Sequence, residues 1–300
     1  MNTNNIPNLV RALRLPFITA SVFPFVLGSL IYRHNFNLLN FLLGLIAVMA
    51  THLSANLIND YADSKSGADW RDMRYYNFFG GSKLIQEGVF SEKFYFRLSL
   101  KFALVSLACV IVLTFRLNSL LAIGMYAAII VLAWLYSLKP SQFSYRRVGE
   151  IVIFLLFGPA LVMGGYFIQT KIFPAFNSFL LSLPFGFLTT AILFSNEVPD
   201  FADDARGKKF TWVSLTGAKR AYILYLTLIF LAFLAIGLSI AFKILSPIGG
   251  IAFIFVPLAL KAAKILREDF NDKIKLMQSS QLTIALQTLV SLSLLIGIIL

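Results

Sequence analysis

The sequence predicts an all-α integral membrane protein: nine transmembrane helices in a bundle, forming one domain over residues 1–300. Of its 300 residues, 58% are hydrophobic and 13% are charged, and the mean hydropathy is +0.80. Soluble domains carry about 25% charged residues, so the composition alone favours a membrane protein. Apolar runs of about 20 residues recur along the chain, and each can cross a hydrocarbon core of about 30 Å as a helix.

The nine expected spans are separated by short connections and by two long loops, at about 59–94 and 197–220. The first apolar run is expected to remain as the first span, because no small-residue cleavage pattern follows it. The predicted spans are approximately 16–32, 38–58, 95–114, 119–137, 150–169, 176–196, 221–242, 247–264 and 282–300.

The distribution of Lys and Arg predicts the orientation of the bundle. Of 26 such residues, 22 lie on the side of the N-terminus and of the loops after spans 2, 4, 6 and 8. The opposite side has only Arg33, Arg116, Lys171 and Lys243. The positive-inside rule therefore puts the N-terminus and both long loops in the cytoplasm, with a bacterial inner membrane as the expected location. It also explains the net charge of +12 without nucleic acid as a partner.

Cys109, the single cysteine, lies inside an apolar run and is expected to serve packing. It excludes an intramolecular disulfide and any multi-cysteine metal site. The 30 Phe residues are expected to face lipid and core, with a few lining a cavity.

A repeated polar motif ends spans 2 and 6. The first copy has Asn56, Asp60-Tyr-Ala-Asp63, and the second has Asn196, Asp200-Phe-Ala-Asp203, with matching residues 140 positions apart. The two spans are four helices apart, which predicts two four-helix pseudo-repeats plus a ninth helix. Repeats of this kind place a binding site at the interface between the halves.

The spacing within each motif predicts a metal site. Residues i, i+4 and i+7 share one helix face, so each motif presents an Asn and two Asp side chains together. Two such faces across a cavity would gather four or more carboxylates near hydrocarbon, where like charges repel. Mg²⁺ relieves that repulsion and bridges carboxylates to phosphate oxygens.

Basic residues in the same loops extend this prediction to a diphosphate site at the mouth of an apolar bundle, and so to a lipid diphosphate as substrate. Positive-inside topology alone explains most of them, so those beside the motifs or in the 137–147 loop are preferred. Asp69 closes the first acidic cluster, whereas Asp72 and Glu87 are expected to be solvated loop charges. His52 is expected to be a hydrogen-bonded helix residue rather than a ligand. The basic residues are Lys65, Arg71, Arg74, Lys83, Lys139, Arg146, Arg147, Arg206, Lys208 and Lys209.

At these motifs the sequence resembles the UbiA superfamily of intramembrane aromatic prenyltransferases over essentially its full length. Further segments are similar to the branch that prenylates 1,4-dihydroxy-2-naphthoate in menaquinone synthesis. They are Arg11-Ala-Leu-Arg14-Leu-Pro16, the run from Asn59 to Asp69 with Gly80-Gly81-Ser82, the region from Tyr136 to Gly158, and Asn196 to Lys209.

The resemblance implies transfer of a polyprenyl group from an isoprenoid diphosphate to a small aromatic acceptor, with Mg²⁺ as cofactor and membrane lipid as surroundings. It implies Asp60, Asp63, Asp200, Asp204 and Lys139 as catalytic residues, and as metal ligands those aspartates with Asp203, Asn56 and Asn196. The implied substrate-binding residues are Asn56, Asn59, Lys65, Asp69, Lys83, Tyr136, Arg146, Asn196, Lys208 and Lys209.

Other acceptors and another class remain open from the sequence alone. The acceptor alternatives are 4-hydroxybenzoate, another phenol or a lipid alcohol. A membrane transporter is the alternative class, because repeats and intramembrane acids are common in transporters. These acids, however, lie at helix ends and in long loops on one side, which favours an enzyme. Prenyl chain length and oligomeric state are not determined by the sequence.

Overall fold

The computed structural model describes residues 6–70 and 72–300, and this part of the chain is helical with no β-strand. 3₁₀ segments join several of the helices, the longest being Pro247–Phe255 before α11, and one isolated bridge pairs Arg146 with Phe210. The helices are α1 Ile6–Leu13, α2 Thr19–Leu30, α3 Leu38–Ser66, α4 Glu92–Leu117, α5 Leu121–Leu135, α6 Gly149–Phe157, α7 Pro159–Thr170, α8 Phe176–Arg206, α9 Val213–Thr216, α10 Ala221–Ala241, α11 Val256–Glu268 and α12 Lys273–Ile299.

Seven helical segments of the described chain are long and apolar enough to cross a membrane, which confirms a multi-pass helical protein. An eighth span forms if the pair Ile6–Leu13 and Leu15–Leu30, bent by 43°, is counted as one. The remaining apolar helix, α5, has 15 residues and is shorter than the about 20 that a span needs. The number nine and the cytoplasmic N-terminus therefore stay predictions.

The two helices that carry the motifs are the longest of the described helices, and their ends follow from local sequence. In α3, the Asn37 side chain accepts a hydrogen bond from the Asn40 backbone N–H and caps the start. Gly67, with φ of 82°, ends the helix in the left-handed conformation. In α8, 31 residues run without interruption through Pro184 and Pro199 to Arg206. Both motifs thus lie in the last turns of long helices.

Small residues let neighbouring helices approach closely. Gly158 breaks one span into α6 and α7, and an added Cβ there would lie 2.8 Å from Gly186 Cα of α8. Hydroxyls connect α3 to α4: Ser54 Oγ lies 3.0 Å from Ser99 Oγ, and Thr51 Oγ1 lies 2.7 Å from Ser106 Oγ. Such contacts are typical of helix association in lipid, where burial of apolar surface supplies no driving force.

Candidate active site

The two motifs face one cavity, called here the outer cavity, of about 1010 Å³. Asn59 and Asp63 of α3 contribute to it from one side, and the last two turns of α8 contribute from the other. The loop between α3 and α4 forms a further wall. The polar residues that line the outer cavity are Arg14, Asn59, Asp63, Asp69, Asp72, Arg74, Tyr76, Lys83, Tyr136, Ser144, Asn196, Glu197, Asp200, Asp203, Asp204 and Lys209.

In the first motif, the side chain of Asp63 lines the cavity and is held in place by neutral donors. Tyr145 donates its hydroxyl to Asp63 Oδ1 at 3.0 Å, and Asn59 Nδ2 lies 3.3 Å from Asp63 Oδ2. Burial, reinforced by the Asp63 charge, raises the pKa of the Tyr145 hydroxyl. The tyrosine therefore stays protonated and keeps donating to Asp63.

Asp60, one residue after Asn59, is buried behind the cavity wall. Its Oδ1 forms an ion pair with Arg14, and its Oδ2 accepts the Ser82 backbone N–H at 3.2 Å. Arg14 itself lines the cavity at the bend between α1 and the first span. Both oxygens of Asp60 thus already have a partner within the protein.

Asp69 and Lys83 form a second internal ion pair at the cavity. Lys83 Nζ lies 2.8 Å from Asp69 Oδ1 and 3.1 Å from the Asp69 carbonyl oxygen, and only 4% of its side chain is exposed. Gly81 is required for this arrangement: its φ is +79°, and an added Cβ would lie 2.9 Å from Asp69 Oδ2. The Gly-Gly loop therefore allows the close approach that brings Lys83 to the cavity.

The second motif keeps more oxygen atoms without partners than the first. Within the described chain, Asp200 forms no hydrogen bond or ion pair, and Asp204 Oδ2, Asn196 Oδ1 and Glu197 Oε2 are buried without a hydrogen-bond partner. Asp204 Oδ1 lies 3.4 Å from Lys209 Nζ. Buried oxygens without partners are costly unless a ligand or cation completes them.

Lys209 is a largely buried cation beside the second motif. Burial alone would lower its pKa, but the carboxylates of Asp204 and Asp63 outweigh that effect and raise it. Lys209 is therefore an ammonium group between the two motifs, positioned to pair with an anionic ligand in the outer cavity.

Lys273, at the start of α12, bridges two carboxylates that line the cavity. Its Nζ lies 2.8 Å from both Asp72 Oδ2 and Asp203 Oδ2, so it joins the α3–α4 loop to the second motif. Partial burial opposes ionisation of Asp72, but the hydrogen bonds from Lys273 and from the Arg74 backbone lower its pKa. Asp72 is therefore part of an ion-pair bridge rather than the solvated charge expected from the sequence, whereas Glu87 is exposed and pairs with Arg11 at 2.7 Å.

Several predicted site residues lie outside the outer cavity. Lys139, Arg146 and Lys208 are exposed, and Arg146 Nη2 donates to the Pro140 carbonyl oxygen at 2.8 Å. Lys65 pairs with Glu92 at 2.8 Å on the outer surface of the bundle. Asn56 lines a deeper cavity, where its Nδ2 donates to the Leu13 carbonyl oxygen at 3.1 Å. Arg71 lies outside the described residues.

Sequence reasoning missed Arg14, Tyr145, Glu197 and Lys273 as parts of the site. For Glu197 a signal existed, because the charge lies inside the second motif next to Asn196. Lys273 is 70 residues from its partner Asp203 in the sequence, and no local pattern indicates that contact. Arg14 and Tyr145 likewise reach their carboxylates only through the packing of the bundle.

The residues present fit a divalent metal that is shared with a ligand. Among the described residues, no three carboxylate, imidazole or thiol groups converge closely enough to hold a metal by themselves. Mg²⁺ is typically bound by one or two carboxylates together with phosphate oxygens. The buried Asp204 Oδ2, with the carboxylates of Asp200 and Asp63 at the same cavity, supplies hard oxygen donors of that kind.

Two deeper cavities continue from the outer cavity into the bundle. The middle cavity, about 900 Å³, shares Asn59, Tyr136 and Asn196 with the outer one. The inner cavity, about 920 Å³, shares His52 and Phe157 with the middle one, and most of its lining is apolar. A charged site therefore leads stepwise into an apolar interior.

These features define a class: a multi-pass helical membrane protein with a carboxylate-rich, cation-lined cavity at one end of the bundle. The family model described as the UbiA prenyltransferase family matches residues 21–285. The chain belongs to the UbiA prenyltransferase family and is an intramembrane prenyltransferase. The predicted family and enzyme class are thereby confirmed, and the transporter alternative is not supported.

Similar proteins agree with this assignment. The human "UbiA prenyltransferase domain-containing protein 1" is 30% identical over 301 residues, which cover 97% of this chain and 83% of that protein. The 1,4-dihydroxy-2-naphthoate octaprenyltransferase of Haemophilus influenzae is 28% identical over 306 residues, covering 94% and 93%.

Solved structures share the fold at lower sequence identity. A UbiA homologue from Aeropyrum pernix K1 superposes with a TM-score of 0.73 at 14% identity, covering 93% of this chain and 96% of that one. A UbiA homologue from Archaeoglobus fulgidus bound to GPP and Mg²⁺ superposes with a TM-score of 0.60 at 16% identity, covering 95% and 98%.

Proposed function

We propose that this chain transfers a polyprenyl group from an isoprenoid diphosphate to an aromatic acceptor in a Mg²⁺-dependent reaction, with 1,4-dihydroxy-2-naphthoate as the first candidate acceptor. The observation that carries the proposal is the outer cavity, where carboxylates of two motifs face each other among buried cations at the entrance to an apolar interior. That combination suits a diphosphate with a long apolar tail.

The metal would be held by Asp63, Asp200 and Asp204 together with diphosphate oxygens. Bound there, it would supply Lewis-acid stabilisation of the charge on the diphosphate. Asp203 and Asn196 lie at the same cavity and would orient this group. Asp60 contributes indirectly through its ion pair with Arg14.

Cations of the chain would stabilise the leaving diphosphate. Lys83, Lys209 and Arg14 line the outer cavity, and each already balances a carboxylate. As the allylic C–O bond breaks, its electron pair leaves with the diphosphate, and these fixed positive charges favour that change. Aromatic rings at the cavity, among them Phe78 and Tyr136, would face the allylic cation that remains.

The acceptor ring would then use a π electron pair to form the new C–C bond to the allylic carbon. If the acceptor is the naphthoate, the carboxylate at the attacked carbon leaves as CO₂; otherwise that carbon loses a proton. The apolar middle and inner cavities would exclude water, which protects the cation from hydrolysis.

The acceptor assignment rests on the similarity to the Haemophilus influenzae naphthoate enzyme and on the sequence motifs. The alternatives 4-hydroxybenzoate, another phenol and a lipid alcohol are tested beside it.

The decisive test is turnover by purified protein in lipid nanodiscs with farnesyl or geranylgeranyl diphosphate. The acceptor panel contains 1,4-dihydroxy-2-naphthoate, 4-hydroxybenzoate, homogentisate and a glycerol-based lipid alcohol, with Mg²⁺ or EDTA. We expect metal-dependent prenylation of the naphthoate alone. Prenylation of another panel member would replace the acceptor, and absence of diphosphate release with every donor and acceptor would contradict the proposal.

A further inference from the structure

The middle cavity contains two buried polar atoms that the protein leaves without partners. His52 Nε2 on α3 and Thr189 Oγ1 on α8 have no hydrogen-bond partner among the described residues. The two side chains are 7% and 6% exposed, and both line this cavity. Buried polar atoms without partners are costly, so their presence on two walls of one cavity calls for an explanation.

Helix geometry places both residues deeper in the bundle than the asparagines that line the outer cavity. His52 precedes Asn59 by seven residues, and Thr189 precedes Asn196 by seven, so each lies on the helix face of its asparagine. Seven residues correspond to about 10 Å along a helix axis. A ligand that extends from these asparagines down to His52 and Thr189 therefore has about the length of a bicyclic aromatic molecule.

His52 is held in place on its other side. Its Nδ1 lies 2.6 Å from Ser21 Oγ on α2, and its ring stands edge-on to Phe157 with the centroids 5.7 Å apart. The Ser21 hydroxyl can donate to Nδ1 or accept from it. His52 Nε2 can accordingly be a donor or an acceptor, depending on which group the ligand presents.

The inner cavity provides an internal comparison. Its other hydroxyls have partners within the protein: Thr51 Oγ1 lies 2.7 Å from Ser106 Oγ, and Tyr126 donates its hydroxyl to the Ala103 carbonyl oxygen at 3.0 Å. A prenyl chain has no hydrogen-bonding atom, so the part of this cavity away from His52 suits it. The same chain against His52 and Thr189 would leave both polar atoms unsatisfied.

We infer that His52 and Thr189 bind the oxygen substituents of the aromatic acceptor in the middle cavity, which makes this cavity the acceptor site. A phenolic hydroxyl both donates and accepts, so it pairs with His52 Nε2 in either tautomer and with the Thr189 hydroxyl. The remaining lining is mainly apolar, with Phe157 among its rings, as expected for a site that orients a planar ring through a few polar contacts.

The position of the cavity fits the reaction that it would serve. Asn59, Tyr136 and Asn196 belong to both the outer and the middle cavity, so no wall separates a ring bound in one from a diphosphate bound in the other. A hydroxyl activates the neighbouring ring carbon, and that carbon would face the allylic end of the donor. This inference rests on the proposed function, and it revises the expectation that His52 is a hydrogen-bonded helix residue rather than a ligand.

The test uses the full-length protein in nanodiscs, with the donor saturating and the naphthoate varied. The variants are His52→Phe, which keeps a ring without Nε2, His52→Gln, which keeps a hydrogen-bonding group, and Thr189→Val, which keeps the shape. Thr190→Val is the matched control, since it removes the neighbouring buried hydroxyl of α8, which already donates to the Gly186 carbonyl oxygen at 2.8 Å.

We expect KM for the acceptor to rise at least tenfold in His52→Phe and in Thr189→Val, because each leaves a ligand oxygen unpaired. His52→Gln should recover much of the loss, and Thr190→Val should stay within about twofold of the unmodified protein. KM for the donor should be unchanged throughout. Acceptor binding measured without donor, by quenching of tryptophan fluorescence, should weaken in the same order.

Two outcomes separate this inference from the proposed function. If the unmodified protein prenylates an aromatic acceptor and neither variant changes KM for it, the acceptor site is wrong while the function stands. An equal rise in donor KM would also contradict the inference. If the unmodified protein prenylates no aromatic acceptor, the proposed function itself fails and the inference fails with it. Should His52→Phe prove unstable, Thr189→Val alone decides.

Discussion

The two motifs are alike in sequence and different in chemistry. In the first, Asp60 is paired with Arg14 and the cluster is closed by the Asp69–Lys83 pair. In the second, Asp200 forms no hydrogen bond or ion pair with the described residues, and Asp204 keeps one buried oxygen without a partner. The repeat places the carboxylates symmetrically, but the surrounding cations do not follow the repeat.

This difference indicates that the two motifs have different roles. A carboxylate whose oxygens are both engaged by the protein stabilises the fold and fixes the position of a cation. A buried carboxylate with an open oxygen has unfavourable solvation that a divalent cation relieves. We therefore expect the second motif to respond to loss of a carboxylate mainly in catalysis, and Asp60 to respond mainly in stability.

The largest expected effect is in the second motif. Asp200→Asn and Asp204→Asn should each lower kcat by about 10³-fold, because each removes a charge that would hold the metal and diphosphate. Folding should be preserved, as judged by size-exclusion profile and thermal unfolding. Glu268→Gln, which changes an exposed carboxylate far from the cavity, is the control and should have no effect. Near-normal turnover in either aspartate variant would remove the second motif from the metal site.

The next effect concerns Asp60 and separates it from Asp200. Asp60→Asn should lower the free energy of unfolding by about 3 kcal/mol, because Arg14 loses its partner in a largely buried pair. The double variant Arg14→Gln with Asp60→Asn should cost less than the two single changes added together. Thermal unfolding in detergent measures both quantities. A higher Mg²⁺ requirement in Asp60→Asn without any loss of stability would identify Asp60 as a direct ligand instead.

These predictions depend on contacts that the sequence indicates only in part. The class, the helical fold and the gathering of Asp63, Asp200 and Asp204 at one cavity follow from composition, from the repeat and from helix geometry. The partners of those carboxylates do not follow, because ion pairs such as Asp60–Arg14 and Asp203–Lys273 join residues 46 and 70 positions apart. Only the packing of the bundle decides which cation reaches which acid.

A smaller effect is expected at the Lys273 bridge. Lys273→Met removes one ammonium from between Asp72 and Asp203 and loosens the α3–α4 loop from the second motif. About a quarter of each of these three side chains is exposed, so the loss of stability should be only about 1 kcal/mol. We expect KM for the donor to rise a few-fold with kcat nearly unchanged, in steady-state assays over a range of donor concentrations. Lys275→Met, which affects an exposed pair with Asp269, is the matched control. If the two variants behave alike, the bridge has no role in donor binding.

The smallest effects are expected for basic residues that the sequence predicts in the site but that the structure places outside the outer cavity. Lys139 and Lys65 were predicted from the sequence to act on substrate, yet Lys139 is exposed and Lys65 pairs with Glu92 outside the cavity. Lys209, by contrast, is buried between the motifs with its pKa raised by Asp204 and Asp63. Lys139→Ala and Lys65→Ala should therefore change kcat/KM for the donor by less than about twofold, and Lys209→Ala by at least about tenfold. Assays of all three variants at two salt concentrations make the comparison stringent, since a screened surface charge loses its influence at high salt and a buried one does not. A tenfold loss in Lys139→Ala would mean that the 137–147 loop moves onto the outer cavity when the donor binds.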